Sequence, residues 1–225
     1  MVGFLFVGCI SAESGEKKLS ADTSIIILPS PRYESTVSVE RAIFNRKSIR
    51  TYTNASLSKK EIAQLLWAGG GKTIDGVTGA TRSYPSAGGL YPIELYLVAE
   101  KVDSLVPGIY HYNWRNHSIK LIKKGNFIDS IKATTYSGAF QNDPLSACIV
   151  TTAVYSRTTS RYADRGKSRY VPMDMGGCGE NISLQAVSLG LGTFIIGAFM
   201  DEELRKIIGA PSEETPLYIM PVGRP

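Results

Sequence analysis

The hydrophobic and polar positions change period several times along the chain, and each change marks an element. After Ser38, which can cap a helix, Val39, Ala42 and Ile43 share one face. Ser58 and Glu61 form a capping box, with Leu57 and Ile62 spaced as a hydrophobic staple around it. Ile62, Leu65 and Leu66 then fall on one side, and Gly69-Gly70-Gly71 predicts the helix end. Apolar runs predict strands over 93–99, 109–113, 118–123 and 147–153, and Trp114-Arg115-Asn116-His117 reads as the loop of a hairpin. A helix over about 174–189 should lead into a strand over 193–196. Asp201 is then the expected cap of a short helix with Leu204, Ile207 and Ile208 inward and Gly209 as its stop, and PLYIMPVG closes the chain as a strand. Helices and strands alternate without a regular βαβ repeat, so the class is α+β.

Composition narrows the function classes. In 225 residues, 43% are hydrophobic and 20% charged, so a core can form without disulfide or metal staples, and a disordered or multi-pass membrane chain is excluded. The net charge of +5 is too small to imply nucleic-acid binding without a recognition fold. Of three cysteines, Cys148 and Cys178 sit in packing contexts. Cys9 follows Val-Gly at the end of the apolar stretch MVGFLFVGCI, which resembles the end of a bacterial lipoprotein signal, although it lacks a cationic start. Residues 1–24 are therefore read as a signal remnant or flexible tail, with residues 25–225 as one domain. Localisation stays open between a membrane-tethered lipoprotein anchored through Cys9 and a cytoplasmic protein.

Common catalytic motifs do not account for the chain. Gly69-Gly70-Gly71-Lys72-Thr73 has Leu66 where a phosphate loop needs glycine, and it follows a helix instead of a strand. No G-x-G-x-x-G or G-x-S-x-G occurs, and the two histidines, His111 and His117, flank the hairpin without metal-ligand spacing, so no metal site is expected. Four weaker features remain. Arg46-Lys47-Ser48-Ile49-Arg50 follows a helix, and in extended chain Arg46, Ser48 and Arg50 would face one side, suited to a phosphate monoester or to a solvated helix end. Small residues in Tyr84-Pro85-Ser86-Ala87-Gly88-Gly89 let a flat ligand approach the backbone. Gly197 and Ala198 leave N–H groups open after a strand, and Arg224 follows the last strand.

In this order, LPSPRYES, RKSIRTY, LSKKEIAQLLWA, YPSAGGLYPIELYLV, GIYHYN, RYADRGKSRYVPMD, LGLGTFIIGAF and PLYIMPVGRP resemble the FMN-dependent nitroreductase family, specifically its SagB-type dehydrogenase branch. The resemblance implies a mainly antiparallel mixed sheet packed by helices in an intertwined homodimer, with FMN at the interface. It would place Arg46, Lys47, Ser48 and Arg50 on the FMN phosphate and ring, with Arg224 closing on the phosphate. It would place Pro85, Ser86 and Ala87 of the partner subunit along the flavin, and Ile196, Gly197 and Ala198 near its N5. The implied activity is hydride or electron transfer between a donor, NAD(P)H among the candidates, and a small molecule. Two other readings stay open: oxidation of a heterocycle in a modified peptide, and a flavin-binding subunit with little turnover. The branch's Lys-Tyr proton-transfer pair reads Arg161-Tyr162 here, which leaves Tyr162 as the catalytic candidate because arginine does not readily release a proton. Its Glu-Ala-Gly-His stretch reads Asp174-Met175-Gly176-Gly177.

Overall fold

The computed structural model describes residue 1 and residues 24–74, 81–136 and 144–225. The reading of Cys9 and of the tail falls outside these residues, apart from Met1 and Ser24. Seven strands form one sheet: β1 (Ile25–Ile27), β2 (Ile93–Ala99), β3 (Gly108–Asn113), β4 (Ser118–Lys124), β5 (Ala147–Val154), β6 (Gly192–Thr193) and β7 (Glu214–Gly223). Their order is β1-β4-β3-β2-β5-β7-β6, and every strand pair is antiparallel. The α+β class holds, in a sheet more uniformly antiparallel than a mixed one.

The strands β2 and β5 are buried along their whole length, because apolar side chains alternate onto two covered faces. Leu95 and Leu97 meet Ile62, Leu65 and Leu66 of α2 (Lys59–Gly70) and Ile182 of α5 (Val171–Ser188) in one cluster. Tyr96 and Val98 point the other way, toward Ile131 of α3 (Ile128–Ala133) and Leu204 and Ile208 of α6 (Asp201–Ile208). The close seam between α2 and α5 explains one of the glycines: a β-carbon on Gly69 would stand 2.7 Å from the Ile182 side chain.

Local signals hold where they are short-range. The Ser58–Glu61 capping box forms in full, and Gly209 ends α6 at φ 69°, a left-handed conformation that glycine adopts without strain. The helix α1 (Val39–Asn45) forms, with Ala42 buried and Val39, Ile43 and Phe44 66%, 59% and 80% exposed among the described residues. Two expectations need correction. Asp201 is the first residue of α6, after Met200 as cap, so its carboxylate complements the helix dipole without a capping hydrogen bond. The strand expected over 193–196 is only Gly192–Thr193, followed by an isolated bridge from Ile196 to Ile219.

The long helix also starts earlier than expected. The helix α4 (Tyr155–Tyr162) ends at Ala163, whose φ of 47° is strained for a residue with a β-carbon. A π-turn, Gly166–Tyr170, then runs straight into α5. At Gly166 a β-carbon would lie 2.9 Å from the Thr158 carbonyl carbon and from the Thr159 nitrogen, both backbone atoms that cannot yield easily. Gly166→Ala is expected to destabilise the fold by about 1–3 kcal/mol, read as a lower urea midpoint at unchanged slope; an unaltered midpoint would contradict this packing.

Candidate functional site

The cationic motif after α1 does become extended: Arg46 has φ −60° and ψ 120°, and its N–H still closes the helix on the Ala42 carbonyl. The segment 46–53 is strapped across the sheet edge. The Ile49 N–H donates to the Thr193 carbonyl at 3.1 Å, and the Thr53 N–H donates to the Arg224 carbonyl at 2.8 Å. The strap borders a cleft of about 290 Å³ whose walls include Arg46, Lys47, Ser48, Thr193, Phe194 and Pro225, with the α5 stretch around Glu180 and Ser183 as its floor.

The expected cofactor residues are therefore partly assembled. Arg46, Lys47 and Ser48 share the cleft. Arg50 is not on its wall but stacks over the Phe194 ring at 5.0 Å. Arg224 has its guanidinium paired with the Glu61 carboxylate at 2.9 Å, while its neighbour Pro225 reaches the cleft. Ile196 is buried and bridged to Ile219, whereas Gly197 and Ala198 are exposed beyond it, and a β-carbon at Gly197 would meet nothing within 4 Å. Arg46 has a partner of its own, Glu180 at 3.8 Å; both are well exposed, so this pair is weak and easily exchanged for another anion.

Pro85, Ser86 and Ala87 do not line the cleft but run along the first half of α5, where a β-carbon on Gly177 would stand 3.8 Å from Pro85 Cδ and the Asn181 side-chain amide donates to the Ser83 carbonyl at 2.7 Å. The Ser86 hydroxyl donates to Asp174 Oδ2 at 2.5 Å and accepts from the Tyr91 N–H at 2.9 Å, and the Ala87 N–H leans on Asp174 Oδ1 at 3.4 Å. Asp174 is six residues before Glu180 and nine before Ser183 on the cleft floor, about 9 to 14 Å along the helix axis. Tyr162 belongs to the turn and not to the cleft: a β-carbon on Gly88 would stand 2.8 Å from its hydroxyl oxygen and 3.0 Å from Arg161 Nη1.

Sequence reasoning missed three participants. Asp174 registered only as a departure from a motif, and its contact with Ser86 spans 88 residues, so no local pattern exposes it. Glu61 was visible as a capping residue, but not as the carboxylate that holds Arg224. Glu94 is buried in β2, where a charge interrupting an apolar strand was the available signal; it accepts from Arg157 Nη1 at 2.5 Å and meets His111 Nε2 at 3.1 Å. His117 is occupied too, facing the Tyr112 hydroxyl and the Pro29 carbonyl, and burial lowers its pKa. Burial pushes the Cys178 thiol up to about 12, so it is a packing group. Among the described residues no cluster of three or more His, Cys, Asp and Glu forms a metal site, and no helix is long and apolar enough to cross a membrane.

The nitroreductase family pattern matches residues 43–224. A Methanocaldococcus jannaschii protein named as a nitroreductase is 36% identical over 188 residues, covering 84% of this chain and 91% of its own. A crystal structure of a Ralstonia eutropha protein named as a nitroreductase superposes at a TM-score of 0.76, with 24% identity and 89% of each chain covered. A chain of the E. coli microcin synthetase McbBCD complex with truncated pro-MccB17 superposes at 0.68, with 21% identity, covering 98% of this chain and 84% of that one. The antiparallel sheet, its two helical layers and the family match define an oxidoreductase class of α+β protein. This chain belongs to the nitroreductase family.

Burial raises the Asp174 pKa, against the hydrogen bonds from Ser86 and Ala87 that lower it. A carboxyl with a raised folded pKa contributes stability at low pH and loses it as the pH rises through that value. Asp174→Asn should remove this component. Urea unfolding from about pH 4 to about pH 8 should show the native chain losing ground to the variant as pH rises; parallel pH profiles would contradict the assignment.

Proposed function

We propose that the chain is an FMN-dependent oxidoreductase that passes hydride between NAD(P)H, or another donor, and a small-molecule acceptor. The observation that carries this reading is the cationic cleft. Three strap residues, Arg46, Lys47 and Ser48, face one cleft without a buried carboxylate, as a phosphate dianion leaving water requires. The residues fit the group on a second count: the Thr193 hydroxyl on the cleft wall is buried and has no partner among the described residues. Arg46, Lys47 and Ser48 would hold the phosphate, Arg224 would join them on leaving Glu61, and Arg50 with Ile196, Gly197 and Ala198 would border the ring. FMN supplies hydride acceptance and return at its ring N5, chemistry for which the chain needs neither a metal nor a triad.

The site is completed by a second copy in this reading. Pro85, Ser86 and Ala87 do not line the cleft of their own chain, and Val39, Ile43 and Phe44 of α1 stand exposed among the described residues. A homodimer answers both. Tyr162, beside Gly88, is then the chain's proton donor or acceptor at its hydroxyl oxygen. A second reading, oxidation of a heterocycle in a modified peptide, is favoured by the likeness to the microcin synthetase chain. It predicts turnover of a peptide azoline that Tyr162→Phe abolishes.

A visible absorption spectrum of the purified protein, before and after anaerobic NADPH and NADH, tests the main reading. A flavin spectrum that bleaches is expected; a colourless protein that refuses added FMN overturns it. For the phosphate site, Arg46→Ala with Arg224→Ala should weaken FMN at least about tenfold more than riboflavin, the scale of one lost charge-assisted hydrogen bond. Equal loss for both ligands would show the phosphate to be elsewhere.

A further inference from the structure

The segment from Tyr155 to Tyr170 holds five cations, Arg157, Arg161, Arg165, Lys167 and Arg169, against the single acid Asp164, in a chain whose net charge is +5. Only Arg157 finds a carboxylate, the buried Glu94. The other four form no ion pair among the described residues. Three of them rest on tyrosine rings instead: Arg161 over Tyr162 at 5.4 Å, Arg165 over Tyr170 at 5.8 Å and Lys167 over Tyr155 at 5.9 Å. Two of these rings, Tyr162 and Tyr170, meet edge to face at 4.8 Å. A guanidinium that lies on a ring face is braced by the ring quadrupole, while its in-plane N–H groups stay available for an oxyanion.

A solvated basic surface needs none of the backbone features found here. Ala163 sits at φ 47°, and the π-turn that follows packs Gly166 against the α4 backbone at distances that exclude a β-carbon. Both features hold the end of α4 in place, and both belong to the kinds of irregularity that collect at functional sites. What they place is Arg161 and Tyr162 against Gly88, whose φ of 63° continues the turn that Ser86 and Asp174 tie down. The guanidinium thus stands at the turn assigned to the flavin.

Resting on the proposed flavin chemistry, we infer that Arg161 binds an oxyanion, a carboxylate or phosphate, carried by the small-molecule substrate beside the reacting centre. Tyr162 sits next to that anion, and Arg165, Lys167 and Arg169 raise the local concentration of anionic substrate at the mouth. This gives the Arg-Tyr pair a role that does not require arginine to surrender a proton. The anion has two sources to separate: a carboxylate on an organic acceptor, or the phosphates of a dinucleotide donor.

The test uses the full chain as purified, with its flavin content recorded first from the absorption spectrum. Calorimetric titration then compares 4-nitrobenzoate with neutral 4-nitrobenzyl alcohol, and adenosine 2′,5′-bisphosphate with adenosine. The anion of at least one pair should bind about tenfold tighter or better, as one charge-assisted contact provides, and the preference should shrink with added salt. The pair that responds names the source. Arg161→Met should remove the preference and Arg161→Lys should retain most of it, with the melting temperature unchanged. Equal binding within both pairs, or a preference that survives Arg161→Met, overturns the inference. If Arg161→Met fails to fold, Arg161→Gln takes its place in the same titrations, and equal binding within both pairs on the native chain still overturns the inference. A preparation without flavin would count against the oxidoreductase reading, while the titrations would still decide the anion site.

Discussion

Everything about the cleft depends on an extended strap lying flat against the edge of the sheet, and two glycines make the flat approach achievable. A β-carbon on Gly192 would stand 2.5 Å from Ile49 Cγ2, and one on Gly223 would stand 2.7 Å from Tyr52 Cδ1. Any side chain there would lift the strap, break the bond from the Ile49 N–H to Thr193, and turn Arg46 and Ser48 away from α5. Tyr52 closes the arrangement from inside, donating its hydroxyl to the Ile49 carbonyl at 2.6 Å while its ring packs in the second core cluster. In the proposed reading, the affinity of the cleft for an anion would be built on backbone contact, with the cations carried on a ribbon strapped to the sheet. Such a ribbon matters because cations preset in position lose little entropy when an anion arrives.

The arginines of this protein divide according to what neutralises them, and the division follows burial. Glu94 is buried, so burial itself works to raise its pKa; the contacts from His111 and Arg157 outweigh that and leave it below the ordinary carboxylate range. Such a pair is structural on the acid's side: removing Arg157 strands the buried Glu94, while Arg157 itself is 40% exposed. Arg82 is buried without an acid and is held by the Gly70 and Ile93 carbonyls among the rings of Tyr84, Tyr91 and Trp114, again a structural solution. Arg46 is different: it faces the exposed carboxylate of Glu180 at 3.8 Å, a weak pair where a dianionic ligand competes on favourable terms, whereas Arg224 pairs at 2.9 Å with the largely buried Glu61. Arg161 and Arg165 have rings and no ion pair among the described residues.

Elements whose signal lies within a few residues were legible from sequence: the run IELYLVA as a buried strand, the Ser58–Glu61 box, the αL stop at Gly209. The basic cluster at 46–50 and the small-residue turn at 85–88 were also visible as chemistry. What could not be read was which of them meet. Lys47 lines the cleft and Arg50 stacks on Phe194 instead, although alternation along a strand favours the reverse. The bond from Ser86 to Asp174 and the ion pair from Arg224 to Glu61 join residues 88 and 163 apart, so each is decided by the packing of whole elements. The shared face of Val39, Ala42 and Ile43 was legible, but its period could not tell that only Ala42 would be buried.

That unburied stripe and the divided site are two aspects of a single geometry. The helix α5 carries the cationic cleft on its second half and the Ser86–Gly88 turn along its first, and the turn residues do not line the cleft of their own chain. A second copy of that helix running beside the first in the opposite sense would set the turn of one chain opposite the cleft of the other. The helix α1 packs on α5 and leads directly into the strap, so an apolar face left bare there lies where such a second chain would approach. In the proposed homodimer, burial of Val39, Ile43 and Phe44 would supply association energy and alignment together, and would tie assembly of the dimer to assembly of the proposed cofactor site.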